Sequence, residues 1–269
     1  MTSPIEDRSS FLRRVTPIIL TYNEAPNIGR SLERLQRFDD VLIVDSGSTD
    51  ETLSIVATFP NTRVLTRPFD SFAGQWNFAL RDGKLETDWA LAMDADYLLS
   101  EAFLAELARL TPTPDISGYR VAFNYCIFGK RLSTTFYRPL IVLHRHRSTQ
   151  YVQDGHCMRA QMPGVIRDVK NRIDHDDRKP LARWVVSQAR YAEQEAELLL
   201  NKSGAELRAP DRLRRLLFVT PWLVPLYYFT VGRGFLDGRA GLYYALQRSV
   251  AEAVLTLKLI EIRLNRKNP

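Results

Sequence analysis

Two carboxylates, Asp94 and Asp96, stand one residue apart directly after the apolar run from Trp89 to Met93. Apolar positions on both faces of such a run predict a strand that is buried on both sides, as in the middle of a parallel sheet. Open α/β sheets bind ligands at the carboxyl ends of their strands, and alternate strand residues share a face. Because carboxylates are hard oxygen ligands, the pair predicts a site for Mg²⁺ or Mn²⁺ facing a phosphate-bearing substrate. For Asp-x-Asp alone, a simple polar turn remains an open alternative.

The composition narrows the class of protein. A chain of 269 residues with 45% apolar content can bury one sizeable core and a smaller appendage. Cys126 and Cys157 are too few for a disulfide framework, which predicts reduced thiols in a cytosolic protein. Residues 1–14 are polar and contain no apolar stretch of the signal-peptide kind, so we expect a cytoplasmic catalytic part. A net charge of +6 and a pI near 9.4 indicate an anionic partner.

Strand and helix patterns alternate through about the first hundred residues, with connections short enough for right-handed crossovers. Asn27 and Asp50 are predicted to cap two of the helices. The predicted strands are 15–22, 41–44, 63–66 and a fourth that begins at 89, and the predicted helices are 28–36, 50–59, 72–80 and 103–110. This order predicts a parallel α/β sheet.

The pattern changes after residue 110. Extended segments predicted at 119–128, 137–143, 151–162 and 165–173 favour antiparallel pairing, and helices are predicted over 181–200 and 242–264. We therefore expect an N-terminal tail (1–14), a nucleotide-binding catalytic domain (15–180) and a helical region (181–269) that contacts a membrane or a second subunit.

Three predicted strand ends converge on one edge of the sheet: Thr21-Tyr22-Asn23-Glu24, Asp45-Ser46-Gly47-Ser48-Thr49-Asp50 and Asp94-Ala95-Asp96. In this order they resemble the GT-A glycosyltransferases of family 2, over roughly residues 15–110 and more loosely beyond. Within that family the chain is most similar to bacterial enzymes that add glucose to the lipopolysaccharide core and to their relatives in surface-polysaccharide assembly. The resemblance implies a GT-A (Rossmann-like) α/β fold with a mostly parallel sheet, flanking helices and a helical C-terminal appendage.

The resemblance also implies roles for individual residues. Thr21, Tyr22, Glu24 and Ser46 match positions around the nucleotide, and Asp45 matches the acid that hydrogen-bonds the uracil ring. Gln75 and Asn77 fall in the helix that approaches the donor in this family. Standing alone, Asp45 could belong to a simple turn and Glu24 to a helix cap.

Asp96 matches the direct metal ligand, and Asp94 matches the acid that holds the ribose or the waters of the metal. A divalent cation would offset the charge on the departing nucleoside diphosphate. The family commonly continues Asp-Ala-Asp-Glu, whereas Tyr97 follows here and removes one carboxylate.

An inverting transfer needs a base for the acceptor hydroxyl. Asp154, in the polar turn Gln153-Asp154-Gly155-His156, is the candidate, and a bare hairpin turn is the alternative. His156 could complete the metal shell, with His175 of Asp174-His175-Asp176 as its rival, although a structural role is open for both. The diphosphate could be held by Arg172, Arg178 and Lys179, for which solvated surface is the alternative.

The uncharged stretch 216–231 is the part of the sequence that could contact a membrane. Its sixteen residues are fewer than the roughly 20 needed for a transmembrane helix, and Pro221 and Pro225 disfavour a straight span. Aromatic residues beside the basic cluster Arg212, Arg214 and Arg215 are typical of a segment at a lipid headgroup layer. A buried hairpin or a subunit interface is the alternative, and the charge distribution favours anionic lipid over nucleic acid.

Together these features predict a metal-dependent inverting enzyme that moves a sugar from a UDP-sugar to a lipid-linked saccharide in bacterial lipopolysaccharide or exopolysaccharide assembly. We expect it at the inner face of the cytoplasmic membrane, without a nucleic-acid partner, and a homo-oligomer is left open. Two other classes remain. A non-catalytic nucleotide-sugar binding module would fit Tyr97, and a phosphate-ester enzyme using Asp-x-Asp would place that motif on the first strand.

Overall fold

The computed structural model describes residues 10–154, 157–203, 207 and 209–267. Its strands are β1 Val15–Thr21, β2 Val41–Asp45, β3 Thr62–Thr66, β4 Trp89–Asp94, β5 Tyr97–Leu98, β6 Ile116–Val121, β7 Phe123–Ile127, β8 Lys130–Arg131, β9 Leu140–Arg145, β10 Gln150–Asp154, β11 Cys157–Gln161, β12 Val165–Asp168 and β13 Ile173–His175. Its α-helices are α1 Ile28–Leu32, α2 Thr52–Val56, α3 Phe72–Asp82, α4 Glu101–Ala108, α5 Leu181–Asn201, α6 Ala209–Arg214, α7 Thr220–Thr230 and α8 Gly238–Lys267. Short 3₁₀ helices cover Phe11–Arg14, His146–Ser148 and Gly234–Asp237.

The chain divides into two compact units. Of the described residues, the first unit takes those within 1–124, 137–153 and 158–178, and the second takes those within 125–136, 154–157 and 179–269. The predicted boundaries at 14 and 180 stay a prediction.

The first unit is built on a seven-stranded sheet in the order β12-β6-β9-β4-β1-β2-β3. The strands β4, β1, β2 and β3 run parallel, β12 is parallel to β6, and β9 is antiparallel to both β4 and β6. This confirms the predicted α/β class with a mostly parallel sheet, helices around it and a helical C-terminal region. The antiparallel strand enters after residue 110, where the sequence pattern changes.

Apolar side chains cover both faces of this sheet. Along β2 and β4, Ile43 and Leu91 join the core on one face, while Leu42 and Ala92 join the core on the other. Both faces are covered, as the uninterrupted apolar runs predict for central parallel strands. The helix α3 is capped by Ser71, whose side chain accepts the N–H of Gly74 at 3.0 Å. The helix packs with Trp76 and Ala79 in this second core.

Several predicted elements differ from the observed ones. The helix predicted over 28–36 ends at Leu32. Asn27 occupies the N-cap position but makes no capping hydrogen bond, because its side chain is used by Glu24, Asp177 and Arg178. The strand predicted over 151–162 is two strands, β10 and β11, which pair with each other.

The second unit contains helices α5 and α7, both packed on α8. Buried polar groups join its loops to these helices. Tyr228 donates its hydroxyl to Asp237 Oδ2 at 2.7 Å, and Asp237 Oδ1 accepts the Ser133 hydroxyl at 2.6 Å and its N–H at 3.0 Å. A Cβ at Gly234 would lie 2.0 Å from the Tyr228 ring, so only glycine allows this approach.

Candidate active site

The candidate site lies where the strand order reverses. β1 is flanked by β2 on one side and by β4 on the other, and ligands of open α/β sheets bind outside the carboxyl ends of strands at such a point. The register places Thr21 beside Asp45 and Leu20 beside Asp94. The three strand ends that carry the resemblance therefore meet on one edge of the sheet.

The loops that follow β1 and β2 are joined to each other by hydrogen bonds. Asn23 has a left-handed backbone, with φ of 55°, a conformation that asparagine adopts more readily than most residues. Its Oδ1 accepts the N–H groups of Thr49 at 2.7 Å and Asp50 at 3.2 Å, and its own N–H donates to Ser48 Oγ at 2.8 Å. Asp50 also accepts the N–H of Thr52, the first residue of α2.

Asp45 is fully buried at the centre of this arrangement. Its Oδ2 accepts the N–H groups of Gly47 at 2.9 Å and Ser48 at 2.8 Å. Its Oδ1 accepts the hydroxyls of Thr21 at 3.0 Å and Ser48 at 2.5 Å. Gly47 has φ of +90°, which a residue with a side chain rarely adopts. Asp45 thus fixes the shape of the loop, and its predicted contact with uracil stays a prediction.

Gln75 supports the same loop from α3. This almost fully buried side chain donates to Ser46 Oγ at 2.8 Å and to the carbonyl of Arg67 at 2.9 Å, and it accepts from the Arg67 guanidinium at 3.0 Å. Arg67 also donates its N–H to the carbonyl of Asp45 at 2.9 Å. We did not identify Arg67 from the sequence, although it follows the predicted third strand and the same strand-end reasoning applies to it.

Asn77, the other donor-side residue predicted on α3, serves the strand β10. Its amide donates to the carbonyl of Tyr151 and accepts the N–H of Tyr151, both at 2.8 Å. Trp76 stacks on the Tyr151 ring with the centroids 5.4 Å apart. The structure therefore gives Asn77 an anchoring contact with β10, and its predicted role toward the donor is not tested.

Three further predicted residues lie at the end of β1 and on the loop that follows it. Thr21 is buried, Tyr22 is 53% exposed and Glu24 is half-buried. Glu24 accepts from the Asn27 amide at 3.0 Å, and its N–H donates to Thr52 Oγ1 at 2.7 Å. The exposed ring of Tyr22 has the size and chemistry to stack on a planar base.

Asp94 is the last residue of β4, and Asp96 lies in the turn that follows. The strand-alternation reasoning for a shared face therefore does not extend to Asp96. Asp96 is buried and lies 3.1 Å from His175 through Oδ2 and Nε2. Burial alone would lower the pKa of His175, but the Asp96 carboxylate, with Asp94 and Asp177, raises it above its ordinary value. Both carboxylates thus act electrostatically on one imidazole.

Aromatic rings surround His175. The Tyr137 ring centroid is 4.7 Å from the imidazole and the Tyr97 centroid is 5.6 Å away, nearly perpendicular to it. The two hydroxyls are 2.5 Å apart. Burial and the nearby Asp94 carboxylate raise the pKa of the Tyr97 phenol well above its ordinary value. Tyr97, which replaces the glutamate common in the family, therefore contributes a neutral wall and a hydrogen bond. Its partner Tyr137 was missed because the two residues are 40 positions apart.

The residues present fit a divalent cation in their chemistry. Two carboxylates and an imidazole are suitable ligands for Mn²⁺, and carboxylates for Mg²⁺. The fixed contact between Asp96 and His175 brings two of these groups to hydrogen-bond distance. Among the described side chains, no group of three or more His, Cys, Asp or Glu is already gathered closely enough to hold a metal ion. The donor set therefore suits a metal, while its ligand geometry is not preformed.

The basic residues predicted near the diphosphate have different environments. Arg178 donates to Asp176 Oδ2 at 2.8 Å, and Arg30 donates to the same oxygen at 2.7 Å. Asp176 is buried, so this double ion pair fixes the chain after β13. Arg172 is exposed and Lys179 is half-buried. The assignment of these cations to a diphosphate stays a prediction.

Asp154 is the last residue of β10, and nothing further is described of its side chain. His156 lies outside the described residues. The base role of the first and the metal role of the second are therefore both untested.

Comparison with known sequences identifies the class of protein. The sequence model described as "Glycosyl transferase family 2" matches residues 16–168, which is more than half of the 269-residue chain. The chain belongs to glycosyltransferase family 2. The predicted family is thus confirmed, and the match includes all three strand ends of the candidate site.

Two sequence relatives illustrate the similarity. The "Lipopolysaccharide core biosynthesis glycosyltransferase LpsC" of Rhizobium meliloti (strain 1021) is 34% identical over 120 residues, covering 43% of this chain and 44% of that protein. An uncharacterized glycosyltransferase of Rickettsia prowazekii (strain Madrid E) is 32% identical over 97 residues, covering 36% of this chain and 32% of that protein. The matches span less than half the length of these relatives.

Solved structures give more distant similarities. Residues 1–349 of S. aureus TarS in complex with UDP-GlcNAc align with a TM-score of 0.44 and 14% identity, covering 94% of this chain and 92% of that chain. The glucosyl-3-phosphoglycerate synthase of Mycobacterium tuberculosis in complex with Mn²⁺, UDP-glucose and phosphoglyceric acid aligns with a TM-score of 0.45 and 13% identity, covering 74% and 84%.

None of the helices in the described part of the chain combines the length and the apolar character that a membrane crossing requires.

Proposed function

We propose that this chain is a metal-dependent inverting glycosyltransferase that moves a sugar from a UDP-sugar to a lipid-linked saccharide of bacterial surface-glycan assembly. The observation that carries the proposal is the meeting of three family-type strand ends at the switch point between β1 and β4. The match to the family model over residues 16–168 supports it. The position of Asp94 at the end of the fourth strand argues against a phosphatase that uses Asp-x-Asp on its first strand.

On the donor side, the chain offers a preorganised nucleotide site. Its loops are held by Asn23, Asp45 and Gln75 before any ligand arrives, so less conformational entropy is lost on binding. Tyr22 would stack on the base, and Asp45 with Ser46 would border it. These loops therefore serve recognition and orientation of the donor.

At the diphosphate, Asp94, Asp96 and His175 would hold Mg²⁺ or Mn²⁺. When bound, such a cation offsets the negative charge that accumulates on the departing diphosphate. His175 is kept against Asp96 by the rings of Tyr97 and Tyr137. His156 is the other proposed ligand.

On the acceptor side, Asp154 is the proposed base. The acceptor oxygen forms the new bond to the anomeric carbon as the bond from that carbon to the diphosphate oxygen breaks, and Asp154 takes the hydroxyl proton. Its place at the end of β10 is the structural basis for this assignment. Anchoring of β10 by Asn77 limits the movement of the strand that leads to it.

The acceptor class is drawn from the relatives. The LpsC protein is named for lipopolysaccharide core biosynthesis, so a saccharide carried on a lipid is the acceptor proposed here. A lipid-linked acceptor requires the protein to work at a membrane surface, and we place it peripherally at the inner face of the cytoplasmic membrane.

The test is a screen of UDP-sugars for metal-dependent hydrolysis and for binding by calorimetry, with and without EDTA. Wild type should turn over one donor in Mn²⁺ or Mg²⁺, and Asp96→Asn should lower that rate by at least about 10²-fold, the scale of several kcal/mol of lost charge stabilisation. Asp168→Asn is the matched control, because Asp168 is an exposed carboxylate paired with Arg120. Asp154→Asn should keep donor binding and lower transfer to acceptor by about 10²-fold or more.

Equal UDP affinity with EDTA and with Mn²⁺ would remove the metal from the proposal. UDP-sugar binding without turnover of any donor or acceptor would instead make the chain a non-catalytic binding module. If Asp154→Asn transferred sugar at a near-normal rate, the base would be Asp174, Asp176 or Asp177 instead.

A further inference from the structure

The segment 216–236 exposes large apolar side chains to solvent. Trp222 is 78% exposed and Phe218 is 71% exposed, and Leu226, Val231, Phe235 and Leu236 are each more than half exposed. Isolated exposed apolar residues are ordinary, but a continuous stretch of them marks an interaction surface. We call these six residues the apolar segment.

Helical geometry separates the two sides of α7. Thr220 and Tyr228 are buried, with Val224 half-buried between them, and these residues are four positions apart. Trp222 and Leu226 are likewise four apart and share the exposed side with Leu223 and Tyr227. α7 carries no charged residue on either side. A helix that is apolar all round normally has both sides covered, and here one side is covered by its own unit.

The exposed charges in the sequence around this segment have one sign. From Arg212 to Ala251 the sequence contains six arginines and a single acid, Asp237. Asp237 is buried and hydrogen-bonded to Ser133 and Tyr228. Among the described side chains of this stretch, the exposed charges are Arg212, Arg233 and Arg239. Within the described residues 212–251, the exposed charge is therefore entirely positive.

All three arginines of the predicted basic cluster donate hydrogen bonds inside the unit, and only Arg212, which donates to the carbonyl of Leu207 at 3.0 Å, is also exposed. Arg214 is bound to Glu252 at 2.8 Å and to Asp211 at 3.1 Å. Arg215 donates to the carbonyls of Leu199 and Lys202. Electrostatic attraction to a partner therefore depends on Arg233 and Arg239, which flank the 3₁₀ helix bearing Phe235 and Leu236, and on Arg212.

We propose that the apolar segment, with Arg233 and Arg239, binds the headgroup layer of an anionic phospholipid bilayer. Trp222 and Tyr227 suit the boundary between headgroups and acyl chains, and the arginines suit the phosphates. The 11 residues of α7 extend about 16 Å, half of the roughly 30 Å hydrocarbon layer. α7 therefore lies in the membrane plane and does not cross it.

A second copy of the chain is the competing occupant. A two-fold contact would place the same surface on both partners, so the arginines of one copy would face those of the other with no exposed acid among the described residues 212–251 to balance them. Like charges without partners oppose such a contact. An anionic bilayer complements both the charge and the apolar side chains.

The proposal rests on the proposed function in one respect: the lipid-linked acceptor is the reason why the protein would meet a membrane. Its test requires no sugar transfer. The full chain is sedimented with vesicles of phosphatidylcholine, or of phosphatidylcholine with one quarter phosphatidylglycerol, at low and high salt. Wild type should bind the anionic vesicles and should be released in part by salt.

Two double variants separate the charged and apolar contributions. Arg233→Glu with Arg239→Glu should lower binding to anionic vesicles by at least about tenfold at low salt. Arg34→Glu with Arg147→Glu, at exposed arginines of the first unit, changes the net charge equally and should bind as wild type does. Trp222→Ala with Leu226→Ala should lower binding about tenfold or more at both salt concentrations. Val186→Ala with Leu257→Ala, at equally exposed positions, is its control.

Tryptophan fluorescence measures membrane contact in the wild-type chain, so this result does not depend on the folding of a variant. Of the four tryptophans, Trp76 and Trp89 are buried and Trp222 is exposed, so vesicles should shift the emission of wild type to the blue. Trp222→Phe should remove most of that shift.

Three results would overturn the proposal. Wild type could ignore anionic vesicles, the segment variants could bind as their controls do, or the apolar variant could dissociate a dimer while vesicle binding is unchanged. UDP binding is measured on the same preparations. UDP binding without vesicle binding would refute only the membrane surface, and vesicle binding without UDP binding would refute only the donor chemistry.

Discussion

The loops around Asp45 and the helices around Asp237 use polar residues in opposite ways. In the first region, the buried carboxylate holds a loop that lies at the sheet edge, and its partners are Gly47, Ser48 and Thr21. In the second, the buried carboxylate joins Ser133 and Tyr228, while apolar side chains face outward. Both carboxylates are satisfied within the protein. The difference lies in what each network presents: backbone groups and polar loops in one region, and an apolar segment in the other.

This difference shows that residue type alone does not reveal whether a side chain faces a ligand or solvent, or is used inside the protein. Asp45 resembles a ligand-binding acid, yet each of its oxygens accepts two hydrogen bonds from the protein. Tyr228 belongs to a stretch that resembles a membrane segment, yet it is fully buried. A carboxylate of the first kind should affect ligand binding when it is changed, and one of the second kind should affect stability.

Asp237→Ala is expected to give the largest effect on stability. It would leave the buried hydroxyl of Tyr228 without an acceptor and remove the hydrogen bonds to the exposed Ser133, which costs about 3 kcal/mol in the free energy of unfolding. Denaturant unfolding of the full chain measures this change. Tyr228→Phe should cost about 1–2 kcal/mol, and Tyr227→Phe, at an exposed ring, should be neutral. A loss below about 1 kcal/mol for Asp237→Ala would show that this network is not a stabilising one.

Asp45→Asn should act mainly on nucleotide binding. The amide keeps the volume but cannot accept from both sides, so the N–H groups of Gly47 and Ser48 lose their charge-assisted bonds. We expect UDP affinity to fall by about 10²-fold, the scale of two such bonds. Asp40→Asn is the matched control, because Asp40 precedes the same strand at its other end and binds Arg63. If Asp45→Asn unfolded the chain and left UDP affinity unchanged in the folded fraction, the contrast between the two carboxylates would fail.

Sequence reasoning identified the three strand ends because periodicity and the carboxyl-edge rule are local. Each apolar run of about five residues predicts its own strand, and each polar end follows it directly. Side-chain pairings between distant parts of the chain were not accessible in this way. The partner of Tyr97 is Tyr137, the partner of Arg214 is Glu252, and the anchor of β10 is Asn77, so each pairing depends on the folded topology.

The stretch 216–231 shows another limit. Because it contains no charged residue, its pattern cannot distinguish the side that packs inward from the side that faces outward. Only the structure separates Tyr228 from Trp222. The antiparallel strand β9 was predicted as extended, but its insertion between β4 and β6 could not be read from its residues.

A third prediction concerns mild acid and the first unit, which contains the histidines of the described residues, His144, His146 and His175. Burial lowers the pKa of His144 to about 3. His144 binds a proton near pH 6.5 in the unfolded chain, whereas in the folded chain it does not. No stability is therefore lost through His144 above that pH. Stability should fall by about 1.4 kcal/mol for each pH unit below 6.5, until the pH nears 3.

Burial also lowers the pKa of His146, and Asp96 raises that of His175, so both histidines also contribute to the pH dependence of stability. The contribution of His144 is therefore measured as a difference between wild type and a variant. The slope of unfolding free energy against pH is compared between wild type and His144→Gln, which should have the shallower slope. His146→Gln is the comparison variant. Should His144→Gln fold poorly, NMR of wild type should still show a neutral His144 ring at pH 5, and a protonated ring there would contradict the prediction.

The smallest expected effect is that of Tyr137→Phe, which tests whether aromatic support of His175 belongs to the site. The change removes one hydroxyl, and with it the 2.5 Å contact with Tyr97, but keeps the ring against the imidazole. If Tyr137 acts as a positioning residue for His175, Mn²⁺ should bind about tenfold more weakly, at the low end of effects from residues that orient a ligand. Tyr119→Phe is the control, since Tyr119 is a buried tyrosine of the seven-stranded sheet whose ring contacts Trp89. A merely structural hydroxyl would lower stability by about 1 kcal/mol and leave the Mn²⁺ affinity of the folded protein unchanged. Loss of Mn²⁺ affinity at unchanged stability would instead mean that the neutral pair Tyr97 and Tyr137 orients the ligand His175. The pair would in this way compensate for the glutamate that this chain lacks.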